Sequence, residues 1–89
     1  MWDSMPEQPK VNTYFVAGEL YECSNEYKER LYMVLSVELM PPYTGGMIDG
    51  MRGIQVNWIR IPSGTPDKSF YLDSLLGIAH AKSQWRRVT

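Results

Sequence analysis

Between residues 30 and 40 apolar side chains recur at every second position, with Leu31, Met33, Leu35, Val37 and Leu39 in one phase and Tyr32, Val34, Ser36, Glu38 and Met40 in the other. A two-residue period is that of a β-strand, whose successive side chains point to opposite faces. The uniformly aliphatic phase is expected to face the core, the mixed phase to face solvent. Pro41 and Pro42 end the strand, because neither can donate to a ladder. In a second run Ile54, Val56 and Trp58 alternate with Gln55 and Asn57, and then Ile59 and Ile61 take the opposite phase around Arg60. That slip predicts either a β-bulge near Trp58 and Ile59 or a corner at which the strand exchanges its buried face.

Weaker elements flank these two. Tyr14, Phe15 and Val16 are β-prone, Gly18 interrupts them as a bend or bulge, and residues 20–23 resume the strand. Residues 24–29 read as a polar turn, with Asn25 suited to a left-handed conformation and Tyr27 placed to fold back over the domain. A turn cluster at 62–68 leads into a short returning strand at 69–72, and residues 85–88 read as a final strand. Before that strand, Asp73 or Ser74 can cap a helix with Leu72, Leu75, Leu76 and Ala79 on one side. Gly77 weakens the helix by ~1 kcal/mol relative to alanine, which limits it to one or two turns. Residues 1–12, with Pro6 and Pro9, read as an extended arm, in which Trp2 is expected to dock on the domain or on a partner.

Short strands with a long loop between the best two and a helical segment before the last predict a mainly β single domain over residues 13–89. The expected architecture is a small, strongly bent five-stranded barrel. The succession Gly18-Glu19-Leu20-Tyr21, Leu31-Tyr32-Met33-Val34-Leu35-Ser36-Val37, Val56-Asn57-Trp58-Ile59, Tyr71-Leu72 and Trp85-Arg86-Arg87-Val88 resembles the layout of small Src-homology-3-like barrels of bacteriophage type. The resemblance spans about residues 13–88, is carried by hydrophobic pattern alone, and transfers no functional residue. It implies a binding module, of a kind a phage uses to bind and modulate or inhibit a host protein.

A chain of 89 residues buries only roughly 60–65% of the surface its unfolded form exposes, so its stability is expected to be a few kcal/mol. The one cysteine, Cys23, excludes an intramolecular disulfide framework and fits a reducing cytoplasm, and a chain this small is a natural candidate for a homodimer. Nine Lys and Arg against ten Asp and Glu, a formal charge of −1, create no global field toward nucleic acid or anionic lipid. The start of the sequence has acids and prolines where a signal peptide needs a basic end and an apolar run, and the longest apolar run, at 31–35, is far short of the ~20 residues that span a bilayer. No membrane association is expected.

Catalytic and metal chemistry find little support. Cys23 and His80 come without the local signature of a nucleophile and its base. One Cys and one His do not make a usual zinc site, and Glu19, Glu22, Glu26 and Glu29 lack the spacing of a calcium loop. Gly45 and Gly50 have the spacing of a phosphate-binding loop, but Met51 and Arg52 stand where its Lys and Ser/Thr belong. No enzyme, cofactor or metal is expected.

What stands out is the 41–53 loop, which carries Tyr43, Met47, Ile48, Met51 and Arg52 where connections are normally polar. These side chains either fold down to cap an open end of the barrel or present an adaptable contact surface to a protein partner. A second expectation is a nucleotide-like small molecule held between Tyr43 or Trp58 and Arg52 or Arg60. A third, disfavoured by net charge, is nucleic acid bound along Lys82, Trp85, Arg86 and Arg87, where cations beside an aromatic ring hold phosphate and stack a base.

Overall fold

The computed structural model describes residues 10–24 and 30–88; Trp2 and the rest of the arm up to residue 9, and the turn at 25–29 with Asn25 and Tyr27, lie outside them. Five strands follow in chain order: β1 (Leu20–Cys23), β2 (Leu31–Leu39), β3 (Gly53–Ile61), β4 (Pro66–Leu72) and, after helix α1 (Leu75–Gln84), β5 (Trp85–Val88). They form one antiparallel sheet in the order β4-β3-β2-β1-β5. The sheet stays open, with β4 and β5 as its two edges, so its hydrogen bonding does not close the expected barrel.

The β2 face expected in the core is only partly there. Tyr32 and Val34 are buried, whereas Leu35 is 49% exposed and Leu31 and Met33 lie on the opposite face. A register shift between Val34 and Ser36 inserts Leu35 as an extra residue opposite the Asn57–Trp58 step of β3. The buried phase therefore changes from even to odd numbers, and Val37 and Leu39 beyond the bulge do pack against the core. The bulge predicted near Trp58 and Ile59 thus belongs to β2. Strand β3 keeps a single phase, burying Ile54, Val56 and Trp58, and its apparent slip arises because Ile59 and Ile61 are apolar residues on the other face.

Aromatic rings fill the inner face. Trp58 and Trp85 stack with centroids 4.3 Å apart, and Phe15, Tyr21 and Tyr32 meet Trp58 at tilted or edge-on angles, geometries that suit ring quadrupoles. The polar atoms of these rings have partners. Trp58 Nε1 donates to Ser69 Oγ, and Trp85 Nε1 donates to the Tyr71 hydroxyl, which donates on to Gln84 Oε1. Burial, the largest influence on it, pushes the Tyr71 phenol above its ordinary value.

Two pieces of chain close over this face. Residues 14–16, expected as a strand, join no ladder; the buried Tyr21 hydroxyl holds them by donating to Tyr14 O and accepting from Val16 N–H, both at 2.8 Å. Packing begins before Thr13, since the fully buried Asn12 donates its N–H to Asp73 Oδ1 at 2.5 Å. At Gly18, φ is +89°, which glycine adopts without a Cβ penalty and which turns the chain into β1. Helix α1 is capped by Ser74, whose Oγ accepts from Gly77 N–H at 3.1 Å, and runs for ten residues, longer than expected. Gly77 is why it fits. A Cβ there would lie 1.8 Å from Leu72 O, so the helix rests on the sheet through Gly77 and Ala81, both buried, and turns Leu75 and Leu76 to solvent. The side on which helical spacing groups the leucines is therefore not the side that meets the sheet.

Both sheet edges are partly blocked from within the chain. In the β3–β4 hairpin Arg60 N–H donates to Thr65 O, which sets a ladder phase in which Pro66, Lys68, Phe70 and Leu72 turn their backbone groups outward. Pro66 has no N–H, and Lys68 N–H is taken by Asp67 Oδ1 at 2.8 Å. At the opposite edge the Tyr14 hydroxyl donates to Trp85 O and accepts from Arg87 N–H, filling the place of a neighbouring strand. Devices of this kind keep edges from pairing with other chains.

Candidate functional site

The β2–β3 connection is an ordered projection. Past the last sheet residues Met40 N–H donates to Gly53 O, Tyr43 N–H to Met51 O and Gly50 N–H to Tyr43 O, each at 2.8 Å, so the hairpin continues beyond the sheet in spite of Pro41 and Pro42. Its tip is a 3₁₀ turn, Gly46–Ile48, entered through Gly45 and Gly46 at positive φ and tied by Asp49 Oδ1 accepting from Gly45 N–H at 2.6 Å.

All residues from 41 to 50 are exposed, Met47 fully so. They therefore do not cap the core. Tyr43 and Ile48 are also exposed, while Met51 and Arg52 sit half-buried at the base. The Tyr43 ring lies across Gly53, where a Cβ would stand 2.9 Å from its hydroxyl. Among the described residues no carboxylate pairs with Arg52, whose carbonyl receives Asp73 N–H at 2.9 Å. That bond, and the Gly53–Leu72 register pair, put the loop and the start of α1 at one end of the sheet.

This end gains residues that sequence reasoning assigned elsewhere. Leu75 and Leu76 are 78% and 74% exposed, and Leu76 lines an apolar groove of ≈ 520 Å³ with Leu72, Gly77, Ala79 and His80. The available signal was the Gly77–Ala81 pair, one helical turn apart and small enough to allow close approach to the sheet. Two structured elements thus present large apolar side chains from the same end, with little charge among them.

The other expected contacts do not come together. Trp58 and Trp85 are core residues with both faces covered, which leaves no ring face open to a base or nucleotide. Arg60 pairs with Asp67 at 2.9 Å and lies 5.9 Å from the Tyr32 ring centroid; the hydrogen bond from Arg60 is the chief reason the Asp67 carboxyl is held below its ordinary value. Arg86 pairs with Glu22 on the outer face. Arg87 turns to the inner side, donating to Tyr14 O at 3.0 Å and lying over the Tyr14 and Tyr21 rings, while Lys82 lies 5.7 Å from the Tyr14 centroid. Consecutive strand residues face opposite ways, so Trp85, Arg86 and Arg87 do not form one binding strip.

Cys23 packs partly buried against the core and His80 lies exposed beside Tyr71. Among the described residues no three His, Cys, Asp or Glu side chains gather as metal ligands, and no helix is long and apolar enough to cross a membrane. No protein-family model, curated protein or solved structure matches the chain.

Proposed function

We propose that the protein is a non-enzymatic binding module that engages a protein partner through the loop end of the sheet. The observation that carries this reading is a loop held by its own backbone hydrogen bonds while Tyr43, Met47 and Ile48 stand in solvent. An ordered apolar surface loses little conformational entropy on binding, and methionine adapts to irregular partner shapes. Leu75 and Leu76 extend the surface, and Arg52 supplies a cation at its rim for a partner carboxylate. The bent open sheet is read as a variant of the small Src-homology-3-like barrel, and the resemblance to phage barrels makes the partner a host cytoplasmic protein whose activity the module modulates or inhibits.

The test is affinity capture from host lysate by the wild type and by the Met47→Ser/Ile48→Ser variant, identified by mass spectrometry and followed by titration of the captured partner. Binding weakens at least tenfold in the variant while its thermal midpoint stays within a degree or two of the wild type, since neither side chain is buried. Equal affinity for both proteins removes the loop from the interface. A large loss of stability shows instead that the loop is structural.

A further inference from the structure

The face of the sheet turned away from the aromatic core is apolar toward the end that carries Leu31 and Ile61, and polar toward the loop end, where Gln55, Asn57, Ser36 and Glu38 hydrogen-bond to one another. In register across all five strands run Val88, Leu20, Met33, Ile59 and Pro66. A parallel row carries Leu31 and Ile61 beside the Glu22–Arg86 pair, and the bulge adds the exposed Leu35, which shares a shallow groove with Asn57, Pro66 and Lys68. Both pieces that close the inner face, α1 and residues 12–17, lie on the far side; no described helix or strand layers over this one.

We infer that this outer face is where a second copy of the chain docks, giving a face-to-face homodimer of two sheets. Three observations select that occupant. First, the face carries Glu22 and Glu38 against Arg86 and Lys68, two acids and two bases. It has no net field for an anionic lipid or nucleic acid, and a face of balanced charge can meet its own copy without net repulsion. Second, five strands at ~4.8 Å and three outward rows at ~7 Å cover roughly 24 by 20 Å, about 500 Å² per copy. The pair then buries about 1,000 Å², the size of a weak, reversible interface. Third, the Tyr14 hydroxyl fills part of the β5 edge, and Pro66 and the Asp67–Lys68 bond blunt the β4 edge near the hairpin, which favours packing on the face over extending the sheet. Sheets stacked in this way sit ≈ 10 Å apart with their strands about 30° off parallel. The loop end stays free for the partner of the proposed function, because it projects past the end of the strands.

Sedimentation and light scattering of the full chain over a range of concentrations test the inference. The expected result is twice the chain mass at high concentration, dissociation on dilution, and a thermal midpoint that rises with concentration. Ile59→Lys places a charge at the centre of the face and raises the dimer dissociation constant at least about 100-fold. Leu35→Glu, at an exposed position in the monomer, weakens it in the same direction and serves if Ile59→Lys does not fold by near-ultraviolet circular dichroism. Met47→Ser/Ile48→Ser leaves the dimer intact. A monomer at every concentration overturns the inference, as does a dimer that survives the face variants or is lost in the loop variant.

Discussion

The two faces of this sheet both carry large apolar side chains and meet opposite fates. The inner face receives Tyr21, Tyr32, Val34, Ile54, Val56, Trp58, Tyr71 and Trp85, and each tryptophan N–H finds a hydroxyl inside the molecule. Helix α1 and residues 12–17 close over it. Leu20, Leu31, Met33, Ile59 and Ile61 on the outer face stay half-buried. The difference lies in what the rings offer a covering segment. A tyrosine hydroxyl satisfies a backbone group that would otherwise be buried unpaired, whereas an aliphatic face offers the covering chain no hydrogen bond. The aromatic face could therefore be closed by irregular chain, and the aliphatic face suits a surface that arrives with its own backbone already paired.

The largest expected contrast comes from adjacent residues of β3 that point opposite ways. Trp58→Ala removes the ring at the centre of the inner face and costs about 4 kcal/mol, enough to unfold much of a domain this size. Ile59→Ala, measured at dilution where copies are apart, costs about 1 kcal/mol or less. Urea titrations of the two variants give the comparison, and equal losses would mean that the outer face is buried within the monomer.

Next in size is Gly77→Ala. Helix propensity alone predicts a gain of ~1 kcal/mol, but the new methyl meets Leu72 O and must lift α1 from the sheet, with an expected net loss of about 2–3 kcal/mol. The sign of the shift in the thermal midpoint decides between propensity and packing.

The smallest effect is a pH dependence confined to the inner face. Burial raises the Tyr71 phenol above its ordinary value of 10.0, so on raising pH the unfolded chain loses this proton first. The stability linked to it is complete below about pH 10 and is lost as pH climbs through the folded-state value. Denaturant midpoints between roughly pH 8 and 11 should fall more steeply in the wild type than in Tyr71→Phe. Identical slopes would show that Tyr71 ionises as freely in the folded protein as in the unfolded chain.

Much of this was legible in the residues alone. Alternation in 30–40 and 53–61, prolines and glycines at the turns, and the Ser74 cap are local signals, and the strands and helix they imply are present. The 41–53 loop declared itself because Met47 and Ile48 are out of place in a polar connection; that they stand in solvent depends on hydrogen bonds such as Tyr43 to Met51, which close only when the hairpin forms.

What only tertiary structure decided is which apolar set is buried. A period of two separates the faces of a strand without saying which one is inside. In β2 the answer changes at Leu35, because the bulge is set by pairing with β3 and the unbroken run of apolar odd positions from Leu31 to Leu39 hid it. Trp58 and Trp85 fell among candidate ligand contacts for the same reason, since they lie far apart in sequence and stack only once β5 has paired with β1 and α1 has returned the chain across the sheet. Leu75 and Leu76 share one side of α1 by helical spacing, yet close approach to the β4 carbonyl made glycine the contact residue and left both leucines outside. Sequence by itself determined the local elements; long-range packing chose the buried face and the exposed loop end, because each depends on a partner distant along the chain.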